Sequence, residues 1–88
     1  MQIKLLFKVK KPVLALGPQA KNTLCFIRGS LAEISVVHPD LGQAQDLMRF
    51  QKAAASFLKK HPKIIACDLH PEYQSSKYAH SLQLKAYD

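Results

Sequence analysis

The sequence predicts an α/β domain with a mixed sheet, its elements running β-β-β-α-β-α, on three observations. Three short segments rich in apolar and β-branched residues follow one another with only turn residues between them, as antiparallel neighbours do. An amphipathic stretch of about eighteen residues comes next, with apolar side chains at helical spacing. A continuous apolar run at 63–69 follows the helix, and such a run suits a strand buried on both faces and paired in parallel.

Taken in order, Ile3, Leu5, Phe7 and Val9 alternate with Gln2, Lys4, Lys8 and Lys10, and Leu6 alone breaks the pattern. That alternation predicts a first strand with a basic outer face, or else a linker over 1–11. Lys11 and Pro12 end it. Residues 13–17 form a short apolar strand, Gly17, Pro18, Gln19 and Ala20 a turn, and 23–27 the next strand. Gly29 and Ser30 mark a tight hairpin, and 32–37 the third strand of a meander. His38, Pro39, Asp40, Leu41 and Gly42 break the sheet and lead into a helix over 43–60. Its core face is read as Leu47, Met48, Ala54, Ala55 and Leu58, helped by Phe50 and Phe57. His61 and Pro62 stop it, with Lys59 and Lys60 in a last turn where cations complement the helix dipole. After the strand at 63–69, residues 73–82 read as a second helix and 82–87 as the start of another strand. The right-handed crossover rule then pairs 13–16 in parallel with 64–67, beneath the first helix.

Eighty-eight residues make one small domain, here a single partial domain with 12–88 as its body. A hydrophobic fraction of 48% beside 22% charged residues excludes a disordered chain. No apolar run approaches the roughly 18–20 residues of a membrane span. The start lacks the apolar core and cleavage site of a signal peptide, so a cytoplasmic protein is expected. Cys25 and Cys67 are too few for a disulfide framework and read as buried, reduced core residues. The net charge of +7 would suit an anionic partner, but the lysines are scattered, which is weak evidence for nucleic acid.

Chemistry concentrates in two places. Asp68, His70, Tyr73, Ser75, Ser76 and Lys77 crowd into the turn and helix after the fourth strand of the main pattern. In open α/β sheets ligands bind beyond the carboxyl ends of strands. Asp68 and His70 could handle protons or orient a ligand there; equally, Asp68 could cap the turn while His70 packs against Tyr73. The hairpin at 17–23 ends in Lys21, Asn22 and Thr23. Lys21 could meet phosphate as a point charge, with Asn22 and Thr23 as donors, or the turn could simply want Gly, Pro and Asn. His38, His61, His70 and His80 show no ligand spacing among themselves, so no metal site is expected from these residues.

Residues 66–79, A-C-D-L-H-P-E-Y-Q-S-S-K-Y-A, resemble the C-D-x-H-P-x-Y-x-S signature of the HypF family, in which Ser or Thr and then Arg or Lys follow. These are carbamoyltransferases of nickel–iron hydrogenase maturation. Residues 13–25, V-L-A-L-G-P-Q-A-K-N-T-L-C, look like that family's V-L-A-L-G-x-x-x-K-N-T-x-C segment, in the right order and at about the right spacing. The resemblance implies the ribonuclease H-like half-domain shared by actin-like ATPases, as one slice of a large multidomain enzyme. It implies that Gly17, Lys21, Asn22 and Thr23 hold nucleotide phosphate, that Ser75 and Ser76 lie at the nucleotide, and that Asp68 and His70 are catalytic beside carbamoyl adenylate. The adenylate, made from carbamoyl phosphate and ATP in a neighbouring domain, would give its carbamoyl group to a cysteine of a hydrogenase maturation protein. The family's metal ion, zinc or iron, is expected from an H-H-H-A-H segment beyond these residues. The chain departs from the pattern where His38, Pro39, Asp40 and Leu41 replace H-x-G-D-L with one residue fewer, and where Gly42, Gln43, Ala44 and Gln45 replace E-N-x-E. A fragment or shortened divergent relative, catalytically silent in isolation, is the resulting expectation. The competing class is a noncatalytic basic module for nucleic acid or an acidic protein, with no membrane role.

Overall fold

The expected parallel pair is present and central. A computed structural model of the chain describes residues 1–82 and 86–87. Its strands are β1 (Gln2–Lys4), β2 (Val13–Ala15), β3 (Ala20–Asn22), β4 (Cys25–Arg28), β5 (Leu31–Ile34) and β6 (His38–Asp40). There follow helix α1 (Ala44–Leu58), β7 (Ile64–Ala66), helix α2 (Gln74–Ser81) and β8 (Ala86–Tyr87). The main sheet runs β1-β5-β4-β2-β7-β8, while β3 and β6 form a separate two-stranded ribbon. Within the main sheet β2, β4 and β5 are antiparallel neighbours, and β7 lies parallel to β2 with Val13 opposite Ile64. β8 extends the sheet in parallel beyond β7.

Alternation decides which side chains meet the helices. Leu14 stands opposite both Phe26 and Ile65, so the three share one face, and all are buried. Phe50 and Ala54 of α1 and Ala79 of α2 close over them in one cluster with Leu16, Leu24 and Leu41. Phe50 and Tyr78 meet edge to face at 5.6 Å, which joins the two helices. Gly29, with φ 60, takes the first central position of the two-residue turn between β4 and β5, where a primed turn requires positive φ.

Several expectations need correction. The first strand stops at Lys4, opposite Leu31 where its partner β5 begins, and beyond it Leu5 N donates to Ser30 O of the β4–β5 turn at 2.6 Å. Leu6 and Phe7 are left exposed, and the backbone returns so that Val9 N donates to Gly29 O at 2.8 Å. The third strand of the meander ends at Ile34, the partner of Cys25, so Val36 and Val37 face solvent. In α1, Met48 and Ala55 are exposed; two residues from Phe50 is about 200° around a helix, which turns Met48 away from the core. The helix also ends at Leu58. Lys60 therefore serves no last turn, but pairs with Glu33 and lies over the rings of Phe26 and Phe57. β7 is buried only at Ile65, with Ile64 and Ala66 half-covered, so burial on both faces is not reached. Cys25 and Cys67 are half-buried rather than core residues.

Candidate functional site

The carboxyl ends of β2 and β7 point the same way, and the chain leaves both in sharp turns. Between those turns lies a cleft of about 270 Å³ lined by Ala15, Gly17, Pro18, Ala66, Cys67 and Asp68. Of the residues singled out in the sequence, Gly17 stands on one wall and Asp68 on the other, while Lys21, Asn22, Thr23, His70, Ser75 and Ser76 are not in the lining.

The first wall is built on Gly17. Its φ is 73, and a Cβ there would stand 2.5 Å from the Thr23 carbonyl and 2.9 Å from Asn22 Nδ2. Only glycine fits so close an approach. Asn22 is wholly buried, and its Nδ2 donates to Leu16 O at 2.6 Å and to Pro18 O at 2.8 Å. With the amide nitrogen so used, its Oδ1 is the acceptor, and His38 Nδ1–H donates to it at 3.0 Å. Asn22 is therefore a fastener of the loop rather than an outward donor. Lys21 stands exposed beside it with φ 51, and Thr23 is half-buried.

The sequence places His38 in a segment that breaks the sheet, yet it starts β6 and is buried against Phe50. Burial pushes its imidazole below the ordinary value, with the Asp46 carboxylate opposing and Arg49 adding to the fall. A polar His–Asn pair inside two polar segments leaves no periodic signal, and the sequence gives no other hint of it.

On the second wall the side chains are largely spent on their own turn. Asp68 Oδ1 accepts from His70 N at 3.0 Å, and His70 Nδ1 accepts from Glu72 N at 3.2 Å. That second bond leaves the proton on Nε2. The His70 ring stacks on Tyr73 at 4.4 Å and 3°. The capping and packing geometry is the one adopted, with the second Asp68 oxygen and His70 Nε2 left for other work. Ser75 and Ser76 lie buried in the first turn of α2. Ser76 Oγ donates to Asp68 O at 2.9 Å, tying the helix to the end of β7. Ser75 Oγ is buried with no partner among the described residues. Gln74 N is met by Gln19 Oε1 at 2.8 Å, a contact unforeseen in the sequence. Among the described residues no three His, Cys, Asp or Glu side chains converge as metal ligands do, and no helix is long and apolar enough to cross a membrane.

Residues 8–88 match the family model described as the HypF Kae1-like domain. The chain is 40% identical over 73 residues to carbamoyltransferase HypF2 of Cupriavidus necator, covering 80% of this chain and 9% of that protein. It is 38% identical over 76 residues to carbamoyltransferase HypF of Rhizobium leguminosarum bv. viciae, covering 82% and 10%. The crystal structure of full-length HypF in the phosphate- and nucleotide-bound form has a TM-score of 0.84 at 33% identity, over 99% of this chain and 14% of that one. T. kodakarensis HypF shares the fold with a TM-score of 0.73 at 22% identity, over 98% and 12%. The chain thus spans about a tenth of the length of the curated relatives it matches.

Proposed function

This chain belongs to the HypF family, and from that premise we propose that it forms one half of a nucleotide cleft in a carbamoyltransferase. The observation that carries the reading is the cleft between residues 17–18 and 67–68, at the carboxyl ends of two parallel strands. An antiparallel meander continued by parallel strands, β5-β4-β2-β7-β8, supports a ribonuclease H-like half-domain of the actin-like kind. The related structure with phosphate and nucleotide bound supports the ligand class.

In this reading the backbone around Gly17 and the ammonium of Lys21 take phosphate, while Asn22 keeps the loop in shape and Thr23 completes its rim. Ser75 and Ser76 sit at the nucleotide, and the remaining Asp68 oxygen and His70 Nε2–H hold the reacting end. The reaction is transfer from carbamoyl adenylate to a cysteine of a hydrogenase maturation protein. The thiol sulfur bonds to the carbamoyl carbon, the bond from that carbon to the phosphate oxygen breaks, AMP leaves, and the thiol proton is taken up by base. The zinc or iron that the resemblance implies finds no converging set of ligands among the described residues. With one side of the cleft and no converging metal ligands among the described residues, the 88 residues by themselves should be inactive, and the other segments of a full-length family enzyme would be their first partner.

Amide shift mapping with ATP tests the reading. Shifts at 17–23 together with 68–76 are expected, at an affinity around millimolar, or about −4 kcal/mol. Lys21→Ala should then weaken binding about tenfold through loss of a charge-assisted bond. Shifts confined to Lys4, Lys8, Lys10 and Lys11 would mean charge attraction alone and defeat it.

A further inference from the structure

α2 begins without a cap of its own. Tyr73 stands at its N-cap position in extended conformation, makes no side-chain cap, and is followed by no acidic residue in the first turn. Such an end leaves amide donors that need an acceptor from elsewhere. The acceptor comes from 55 residues away, as Gln74 N donates to Gln19 Oε1. Gln19 also holds a third segment. Its backbone carbonyl accepts from Leu41 N at 2.9 Å, and its Nε2 lies 3.5 Å from where a Cβ on Gly42 would stand. It sits between Pro18, whose carbonyl Asn22 holds, and Ala20, which opens the ribbon to β6. One side chain thus spans from the fastened loop to the helix that carries Ser75 and Ser76.

We propose that Gln19 is a positioning residue that seats the first turn of α2 against the 17–22 loop, so that a single carboxamide fixes where Ser75 and Ser76 stand relative to a cleft whose walls the β2–β7 pairing already holds together. The purpose of this seating rests on the nucleotide reading above; the seating itself does not. A neutral acceptor suits the task, because it satisfies Gln74 N without adding a negative charge beside a phosphate. Ser76, bonded to Asp68 O, closes the circuit back to β7. Loss of Gln19 leaves α2 attached to the second wall and loosens it from the first.

Amide hydrogen exchange on the full chain, first without ligand, separates the two claims. Gln19→Ala should speed exchange at Gln74, whose amide makes the bond, and through residues 75–77, about fivefold, the worth of a lost N-cap. Gln19→Glu should restore protection, since a carboxylate accepts the same bond and is favoured at a helix N-terminus. With ATP added, Gln19→Ala should keep the shifts at Gly17 and Lys21 and lose those at Ser75 and Ser76. Unchanged exchange in Gln19→Ala overturns the proposal. Faster exchange with undiminished ATP shifts at Ser75 and Ser76 overturns the positioning role as well, leaving a structural cap. If the unsubstituted chain shows no ATP shifts on either wall, the nucleotide reading fails, and the exchange rates still decide whether Gln19 seats the helix.

Discussion

Asn22 and His38 stand sixteen residues apart and meet at 3.0 Å in the core, joining the loop after β2 to the entrance of α1. The pair is buried from both sides, and the asparagine spends its other polar atom on two loop carbonyls. A loop otherwise free to take many shapes is thereby given one.

Asn22→Ala should therefore destabilise the chain by about 3 kcal/mol, because it strips donors from the Leu16 and Pro18 carbonyls and the acceptor from His38. Urea unfolding measures it as a lower midpoint. A loss under about 1 kcal/mol would mean that water takes over these bonds and that the loop is not held by Asn22.

Gly17 and Gly29 have similar backbone angles, φ 73 and 60, but different surroundings. A Cβ at Gly29 meets nothing within 4 Å, while one at Gly17 collides with the Thr23 carbonyl. Gly29→Ala should cost about 1 kcal/mol, the penalty of a left-handed conformation alone. Gly17→Ala should cost more and disturb the amide resonances of Asn22 and Thr23. Equal losses in thermal unfolding would contradict the crowding.

The lowered imidazole of His38 sets a direction for pH dependence. Because the folded value lies below the unfolded one, about 6.5, the unfolded state binds the proton more readily. Stability is full above that pH and falls as the pH drops through it toward the lowered folded value. The fall in urea midpoint from pH 7.5 to 5.5 should be smaller in His38→Gln than in the unsubstituted chain. An equal fall assigns the effect to other groups.

Lys4 lies on the edge strand β1, where lysine discourages pairing with another sheet. Binding of a labelled DNA duplex at about 150 mM salt should accordingly be weak, no tighter than about 10⁻⁶ M, and indifferent to sequence. Tight, sequence-dependent binding would favour the noncatalytic basic module over the carbamoyltransferase reading.

What was legible follows from period and run length. The apolar segments that became β2, β4 and β5 and the run that became β7 announce themselves, and the strand–helix–strand order points to the parallel pairing of β2 with β7. The ribbon of β3 and β6 does not, since Ala20 to Asp40 and Asn22 to His38 are its two registers and most of these residues are polar. The strands are shorter than their sequence pattern for a related reason: alternation continues past Lys4 and β-branched residues past Ile34, but the ladder of paired residues ends at Lys4 and at Ile34. The position of the cleft was readable from the strand-end rule. The bonds that shape it, Gln19 to Gln74 and Asn22 to His38, join distant polar segments and leave no local pattern.

The central place of β2 bears on how the chain acquires its shape. Its partner on one side, β4, is about a dozen residues away, while β7 on the other arrives about fifty residues later, with α1 between. Closing so long a loop comes before any contact that rewards it, so β7 should dock late and limit the rate. During synthesis the meander leaves the ribosome first, with the Val13, Leu14 and Ala15 edge of β2 open until Ile64 to Ala66 has emerged. That edge is apolar and central, without a lysine such as Lys4 on β1, and it is the stretch most exposed to mispairing with another nascent chain.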